Sequence, residues 1–165
     1  MNAPRRGVAV GSLGTPLGVL GVTVSARGVT GCGEAAEPDR GASPLLDQAL
    51  RELGEYFAGA RRGFDVPLDL SACSVFARRV YDLTRAVPYG ETRSYGDIAA
   101  VLGSSARAVG SALARLPVGI LVPAHRVTLA NGGLGGYQGR GDVKAWLLDF
   151  EAEQAHLDRR GPVRS

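Results

Sequence analysis

From residue 7 to residue 32 the chain alternates. In TPLGVLGVTVSARGVTGC, β-branched side chains recur at alternating sites, and Thr15-Pro16 and Arg27-Gly28 punctuate the run as turns, which predicts short strands. Glu34 to Ser43 reads as a polar loop. From Pro44 to Gly59 the period changes: Leu46, Ala49, Leu50, Leu53 and Phe57 recur at three-to-four spacing, predicting an amphipathic helix opened by proline and closed by glycine. Phe64 to Leu70 predicts an extended linker.

After Ser71 the pattern is helical. Ser74 can cap a helix whose buried stripe is Phe76, Val80, Leu83 and Val87, ended by Pro88-Tyr89-Gly90. Ser94 opens the next helix with Asp97 at the reciprocal capping-box position, buries Ile98, Ala99 and Leu102, and stops at Gly103. Ser104 or Ser105 caps a third, Ala106 to Leu116, ended by Pro117. Two short helices around a glycine turn look like a helix-turn-helix. A short apolar strand, Gly119 to Val122, then delivers Pro123 to Val127. A glycine-rich loop, NGGLGGYQGRG, precedes a last helix with Val143, Trp146, Leu147 and Phe150 on one face. The predicted architecture is α/β: a small β-sheet-plus-helix domain over residues 1–70, packed on a mostly helical domain over 71–157, with a loose tail at 158–165.

Charge refines this picture by its distribution. Between Ala77 and Arg126 seven arginines face Asp82, Glu91 and Asp97, a net of +4 in a chain whose total is +3. Positive potential is thus concentrated where a polyanion could use it. Lys144 is the sole lysine; every other cation is arginine. Cys32 and Cys73 have no metal-ligand or disulfide-framework spacing and fit a reducing compartment. The start MNAPRRG leads into no signal-like helical core, and the apolar run after Pro16 is too short and glycine-rich for a membrane span. The expectation is a cytoplasmic, nucleoid-associated protein with no membrane contact.

Five segments in order, YGETRSYGDIA, ARAVGSALARLP, LVPAHRV, GGYQG and KAWLLDFE, resemble the O6-alkylguanine-DNA alkyltransferases. TPLGVLGVTV and LGEYFAGARRGFDVPLDL resemble that family's N-terminal domain. The resemblance implies a ribonuclease H-like first domain and a winged helix-turn-helix that enters the minor groove. Ala106, Ala108, Gly110, Ser111 and Ala112 would form a smooth face for close approach. Arg107 matches the arginine that fills the gap left by a flipped nucleotide, and Tyr95 the tyrosine that crowds the target phosphate and contacts the base. Arg126 counts among the DNA contacts. Ala124 and Val127 match positions whose carbonyls meet the guanine amino group, Gln138 one whose amide meets the base oxygen, and Tyr137 a pocket wall. His125 and Glu151 match the relay that deprotonates the acceptor cysteine. No metal or cofactor is implied.

Three departures bear on function. Ala124 stands where the family has its cysteine, and a methyl group cannot become a nucleophilic thiolate. Leu116 replaces an asparagine of the active-site network and is typical of alkyltransferase-like proteins, which also lack the cysteine. A laboratory Cys-to-Ala trap would have changed position 124 alone, so the loss reads as natural. Against this, many alkyltransferase-like proteins have one domain, whereas this chain keeps an N-terminal half. Arg140, where glycine is usual, either adds a phosphate contact or points into water. The favoured expectation is a non-catalytic, monomeric binder of duplex DNA containing O6-alkylguanine, handing the lesion to nucleotide excision repair proteins. The alternatives are a cysteine methyltransferase with an engineered Ala124, and an enzyme reusing His125 and Glu151 on a small molecule.

Overall fold

The protein is described by a computed structural model over residues 8–161; the start MNAPRRG and the last four residues lie outside the described residues. The chain forms two compact units, Met1–Ser74 with Pro117–Leu121, and Val75–Leu116 with Val122–Ser165. Instead of one change of unit near residue 70, the backbone changes unit after Ser74, after Leu116 and after Leu121. The returning strip belongs to the first unit because it hydrogen-bonds there: Cys32 N–H donates to Pro117 O at 3.0 Å and Gly119 N–H to Cys32 O at 2.9 Å.

In the first unit β1 (Ala9–Thr15), β2 (Gly18–Val24) and β3 (Val29–Glu34) form an antiparallel meander in the order β1-β2-β3. Pro16-Leu17 make the first turn, and Gly18 takes φ 104°, a conformation that favours glycine. Helix α1 (Pro44–Phe57) is capped by the Ser43 hydroxyl, with proline in its first turn where no amide partner is needed. It buries Leu46, Ala49, Leu53 and Tyr56; Leu50 and Phe57, expected inside, are only half-buried. A Cβ at Gly11 of β1 would lie 3.0 Å from Leu50 Cδ1, so that glycine lets the helix settle on the sheet. The expected linker Phe64–Leu70 is extended but pinned to β3. Val29 N–H donates to Pro67 O at 2.9 Å, Asp69 N–H donates to Val29 O at 2.8 Å, and Val66 is buried. A Cβ at Gly28 would sit 2.6 Å from Pro67 O, so only glycine permits this approach.

The second unit contains α2 (Val75–Arg85), β4 (Arg93–Ser94), α3 (Tyr95–Leu102), α4 (Ala106–Ala114), a 3-10 turn at Ala124–Arg126, β5 (Val127–Thr128) and α5 (Gly141–Arg160). β4 and β5 pair in parallel. α3 starts with the expected reciprocal box: Asp97 N–H donates to Ser94 Oγ and Ser94 N–H to Asp97 Oδ2, each at 3.0 Å. Gly103 ends it at φ 61°, and Ser105 caps α4. Tyr81, buried in α2, donates its hydroxyl to Ala112 O of α4 at 2.7 Å, tying these helices together. α2 therefore buries Val80, Tyr81 and Thr84, while Phe76 and Leu83 are half-buried. Leu83, Ala86, Val87, Ile98 and Val101, with Arg93 and Asp97, line a mostly apolar groove of about 440 Å³.

Two sequence expectations are corrected. Gly119–Val122 is not a strand: Leu121 N–H bonds back to Gly119 O at 2.7 Å across Ile120, whose φ is 68°. This is a γ-turn of the strained, positive-φ kind, rare for a β-branched residue. A second tight turn follows, Ala124 N–H to Val122 O at 2.8 Å across Pro123 at φ −80°, ψ 64°. An apolar run that is buried all round carries no period, so composition alone cannot tell turn from strand. The tail expected from 158 onward is helical as far as Arg160. Arg159 and Arg160 in the last turn complement the helix dipole, and Gly161 at φ 69° ends it.

Candidate functional site

The double turn carries the chain into the 3-10 segment Ala124–Arg126, where Ala124, His125, Arg126 and the following Val127 are all buried. Polar groups at that depth must be paired, and α5 supplies the partner. Glu151 Oε2 accepts from His125 Nε2 at 2.7 Å. The Arg126 guanidinium forks onto the same carboxylate, Nε to Oε1 at 2.8 Å and Nη2 to Oε2 at 3.0 Å, and its Nη1 donates to Val87 O at 2.8 Å. Gly90 N–H adds a longer bond to Oε1 at 3.4 Å; a Cβ at Gly90 would lie 2.8 Å from Ala155 Cβ.

Electrostatics follow from this geometry. Burial pushes the Glu151 carboxyl up, but the bonds from His125 and Arg126 outweigh it and hold the group at about 2. Burial pulls the His125 imidazole below its usual range, against the opposing pull of Glu151. At neutral pH the site is therefore an ionised Glu151–Arg126 pair with a neutral imidazole, and Nε2 carries the ring's proton.

Arg126 is thus not the DNA contact that the sequence reading expected. Its three guanidinium nitrogens are committed inside the unit, and desolvating the charge is tolerable only because Glu151 meets it in fork geometry. Ala112 is also removed from the smooth face, being buried beside Tyr81. Ala106, Arg107, Ser111 and Ala114 are the exposed positions of α4, with Ala108 and Gly110 half-buried between them. Tyr95, first residue of α3, lies 3.9 Å from where a Cβ at Gly110 would stand, and its ring would clash at 2.8 Å with a side chain at Gly135. Small residues on α4 and in the glycine-rich loop therefore set the place of that ring.

A residue absent from the sequence reading completes the site. Lys144 of α5 is fully buried, and its Nζ donates to Val127 O at 2.6 Å and to Tyr95 Oη and Gly136 O at 3.2 Å each. Burial lowers its pKa to about 8. Tyr95 in turn donates to Gly136 O at 3.3 Å, and burial raises its phenol above the usual range. The signal for Lys144 was in the composition: a single lysine kept in a chain whose other cations are all arginine. The apolar stripe on α5 concealed it, because the buried positions are Lys144, Leu147 and Glu151. Trp146 and Phe150 are half-buried and stack on one another, with centroids 5.0 Å apart.

The expected pocket groups are partly occupied. Val127 O already accepts from Lys144, and Ala124 O from Val127 N–H, which leaves each carbonyl one lone pair. Gln138, at φ 49°, spends its side-chain amide on Leu116 O at 3.2 Å, and Tyr137 is half-buried. The exposed Arg140 approaches Asp142 at 3.5 Å. Cys32, in the first unit, is buried and its thiol is pushed up to about 12, so it keeps its proton at neutral pH. Among the described residues no cluster of His, Cys, Asp and Glu could hold a metal.

Residues 75–153, the stretch that carries this whole arrangement, match the family described as 6-O-methylguanine DNA methyltransferase, DNA binding domain. The chain is 49% identical over 143 residues to a Thermus thermophilus protein named DNA base-flipping protein, covering 84% of this chain and 97% of the relative. It is 50% identical over 105 residues to a Mycolicibacterium paratuberculosis methylated-DNA–protein-cysteine methyltransferase, covering 62% of this chain and 63% of the relative. Among solved structures, Mycobacterium tuberculosis O6-methylguanine methyltransferase is similar at TM-score 0.80 and 35% identity, covering 95% and 96% of the two chains. The same enzyme in complex with DNA is similar at TM-score 0.78 and 37% identity, covering 88% and 93%. The chain belongs to the O6-methylguanine-DNA methyltransferase family of DNA repair.

Proposed function

We propose that this protein recognises O6-alkylguanine in duplex DNA, turns the modified base out of the stack and holds it without accepting its alkyl group. The observation that carries this reading is Ala124. It sits buried beside an intact His125–Glu151–Arg126 network, so the floor is built but the nucleophile is a methyl group. Cys32 offers no thiolate at neutral pH. The likeness to a protein named for base flipping supports the same reading.

The assignments then follow the chemistry. Extruding a base costs a few kcal/mol, least for a damaged pair. Arg107, exposed near the start of α4, supplies a planar cation to fill the gap, and Ala108, Gly110 and Ser111 allow close approach to the minor groove. Tyr95 and Tyr137 wall the base, the spare lone pairs of Ala124 and Val127 take its amino group, and the Gln138 main-chain amide takes its oxygen. Lys144 fixes Tyr95 and Val127 from behind. On this reading the first unit is the ribonuclease H-like half, and α3–α4 with the β4–β5 pair is the winged helix-turn-helix. The protein acts as a cytoplasmic monomer on the nucleoid and passes the lesion to nucleotide excision repair.

The test is binding to matched duplexes with and without O6-methylguanine, followed by intact mass measurement. We expect tighter binding to the methylated duplex, weakened by salt as phosphate contacts require, and an unchanged protein mass. A gain of one methyl group, or equal binding to both duplexes, overturns the proposal.

A further inference from the structure

The glycine-rich loop opens with Asn131-Gly132-Gly133, and the asparagine is folded back on its own main chain. Gly133 N–H donates to Asn131 Oδ1 at 2.9 Å. The ring closed by this hydrogen bond runs through Asn131 Cγ and Gly132 N, the two atoms that must join to form a cyclic imide. The same donor sits where negative charge develops as that nitrogen adds to Cγ, and so it favours the addition. Gly132 takes φ 86° with open space where a Cβ would stand, so no side chain shields its nitrogen. A Cβ at Gly133 would press on Asn131 Oδ1 at 3.0 Å. Gly132 N–H is bonded to Leu129 O at 3.1 Å, and Leu129, Asn131 and Gly132 are all exposed, so hydroxide reaches the proton that has to leave.

Charge decides what such a reaction would do here. From Ile98 to Gly141 the chain contains no aspartate or glutamate, while Arg107, Arg115 and Arg140 are exposed. That stretch holds all of α4, the Ala124–Arg126 turn and the glycine-rich loop, whose Gly136 O accepts from both Tyr95 and Lys144. On the proposed function this is the surface that meets phosphate, and a carboxylate at position 131 would be the first anion in it.

We propose that Asn131 is a site of spontaneous modification: it deamidates through a succinimide formed with Gly132, and the carboxylate left behind weakens binding to duplex DNA. The second half rests on the reading above. Gly132 N gives its proton to hydroxide and forms a bond to Asn131 Cγ. The Cγ–Nδ2 bond then breaks, and ammonia leaves with a proton from water, which restores the hydroxide. A second water opens the imide at either carbonyl, giving aspartate or isoaspartate. A neutral amide has become an anion, and a change of charge acts on partners by ordinary electrostatics. Affinity for duplex DNA is thus highest in newly made protein and declines with age.

The experiment holds the full chain in mildly alkaline buffer and follows position 131 by peptide mass and isoaspartate content. Fresh and aged protein are then bound to matched duplexes with and without O6-methylguanine. Conversion should be at least as fast as in the free peptide TLANGGLG. Affinity for both duplexes should fall about five-fold at low salt and less at high salt, as one added like charge in water implies. Fresh Asn131→Asp should show the same fall. Asn131→Ser, which keeps an acceptor for Gly133 N–H, should hold its affinity through the same treatment. Conversion slower than in the peptide overturns the modification site. Conversion at unchanged affinity, or Asn131→Asp that binds as the wild type does, overturns its consequence. Equal binding of the two duplexes by fresh protein overturns the proposed function alone, because the loss on ageing is read on either duplex. Binding to neither overturns both.

Discussion

Glu52 and Glu151 are each 1% exposed, one in each unit, and each is held ionised against its burial. Their partners differ in kind. Glu52 takes the Asp65 and Val66 amides on Oε1 at 2.7 and 3.1 Å, Gln48 on Oε2 at 2.7 Å, and Arg61 at 3.8 Å. All of these lie within fourteen residues of it, so the carboxylate closes the local turn after α1. Glu151 instead gathers Gly90, His125 and Arg126 from sequence-distant segments, 61, 26 and 25 residues away. Both carboxylates satisfy the rule that buried charge must be paired. Only the second ties together segments that are far apart in the chain, and that separates a local closure from a long-range one.

The largest test of this contrast is truncation. Glu151→Ala leaves the Arg126 guanidinium buried without its counter-ion and should cost about 3–5 kcal/mol in urea unfolding. Glu52→Ala leaves two amides and the partly exposed Arg61, which can turn to water, and should cost about 2 kcal/mol. Equal losses would erase the distinction between the two networks.

Acid titration comes next in size. The Glu151 pKa of about 2 in the folded protein lies below its unfolded value, so its contribution is complete above about pH 4.5 and is lost as pH falls toward 2. Two to three units correspond to about 3 kcal/mol, so the acid limb of stability should flatten in Glu151→Gln. A limb unchanged by that substitution would show the carboxyl to be unperturbed. Lys144 has the opposite dependence. Its folded pKa of about 8 is depressed, so its penalty is constant below that value and is relieved as pH rises toward the unfolded value near 10.4. Stability measured from about pH 8 to 10 should rise more in the wild type than in Lys144→Met. Parallel curves would remove Lys144 from the account.

How much of this was legible in the sequence depended on periodicity and local chemistry. The alternating run from Ala9, the capping box at Ser94 and Asp97, and Gly103 after α3 are readable because each is a local preference. The pairing of His125 with Glu151 is legible through the family resemblance, and the two side chains meet at 2.7 Å. Arg126 was misplaced because an arginine in a cationic segment looks like a phosphate contact, and only the fold reveals a carboxylate waiting for it. Lys144 was missed because an apolar stripe assigns the helix face from neighbours that pack, while this face is buried for the sake of its polar ends. The γ-turn at Ile120 has no signal, since a positive φ at isoleucine goes against every local preference. Such exceptions cluster at functional sites.

The smallest expected stability effect isolates recognition from both networks. Arg107 is exposed on α4 and hydrogen-bonds to neither glutamate. Arg107→Ala should therefore change unfolding free energy by no more than about 0.5 kcal/mol, as surface substitutions do. Its preference for O6-methylguanine over guanine should nevertheless fall, because no planar cation is left to occupy the gap in the stack. A variant that keeps its preference would place base extrusion elsewhere, and a variant that loses stability would show Arg107 to be part of the fold. If preference is lost at constant stability, discrimination depends on the groove face as well as the buried floor, and the two can be changed independently.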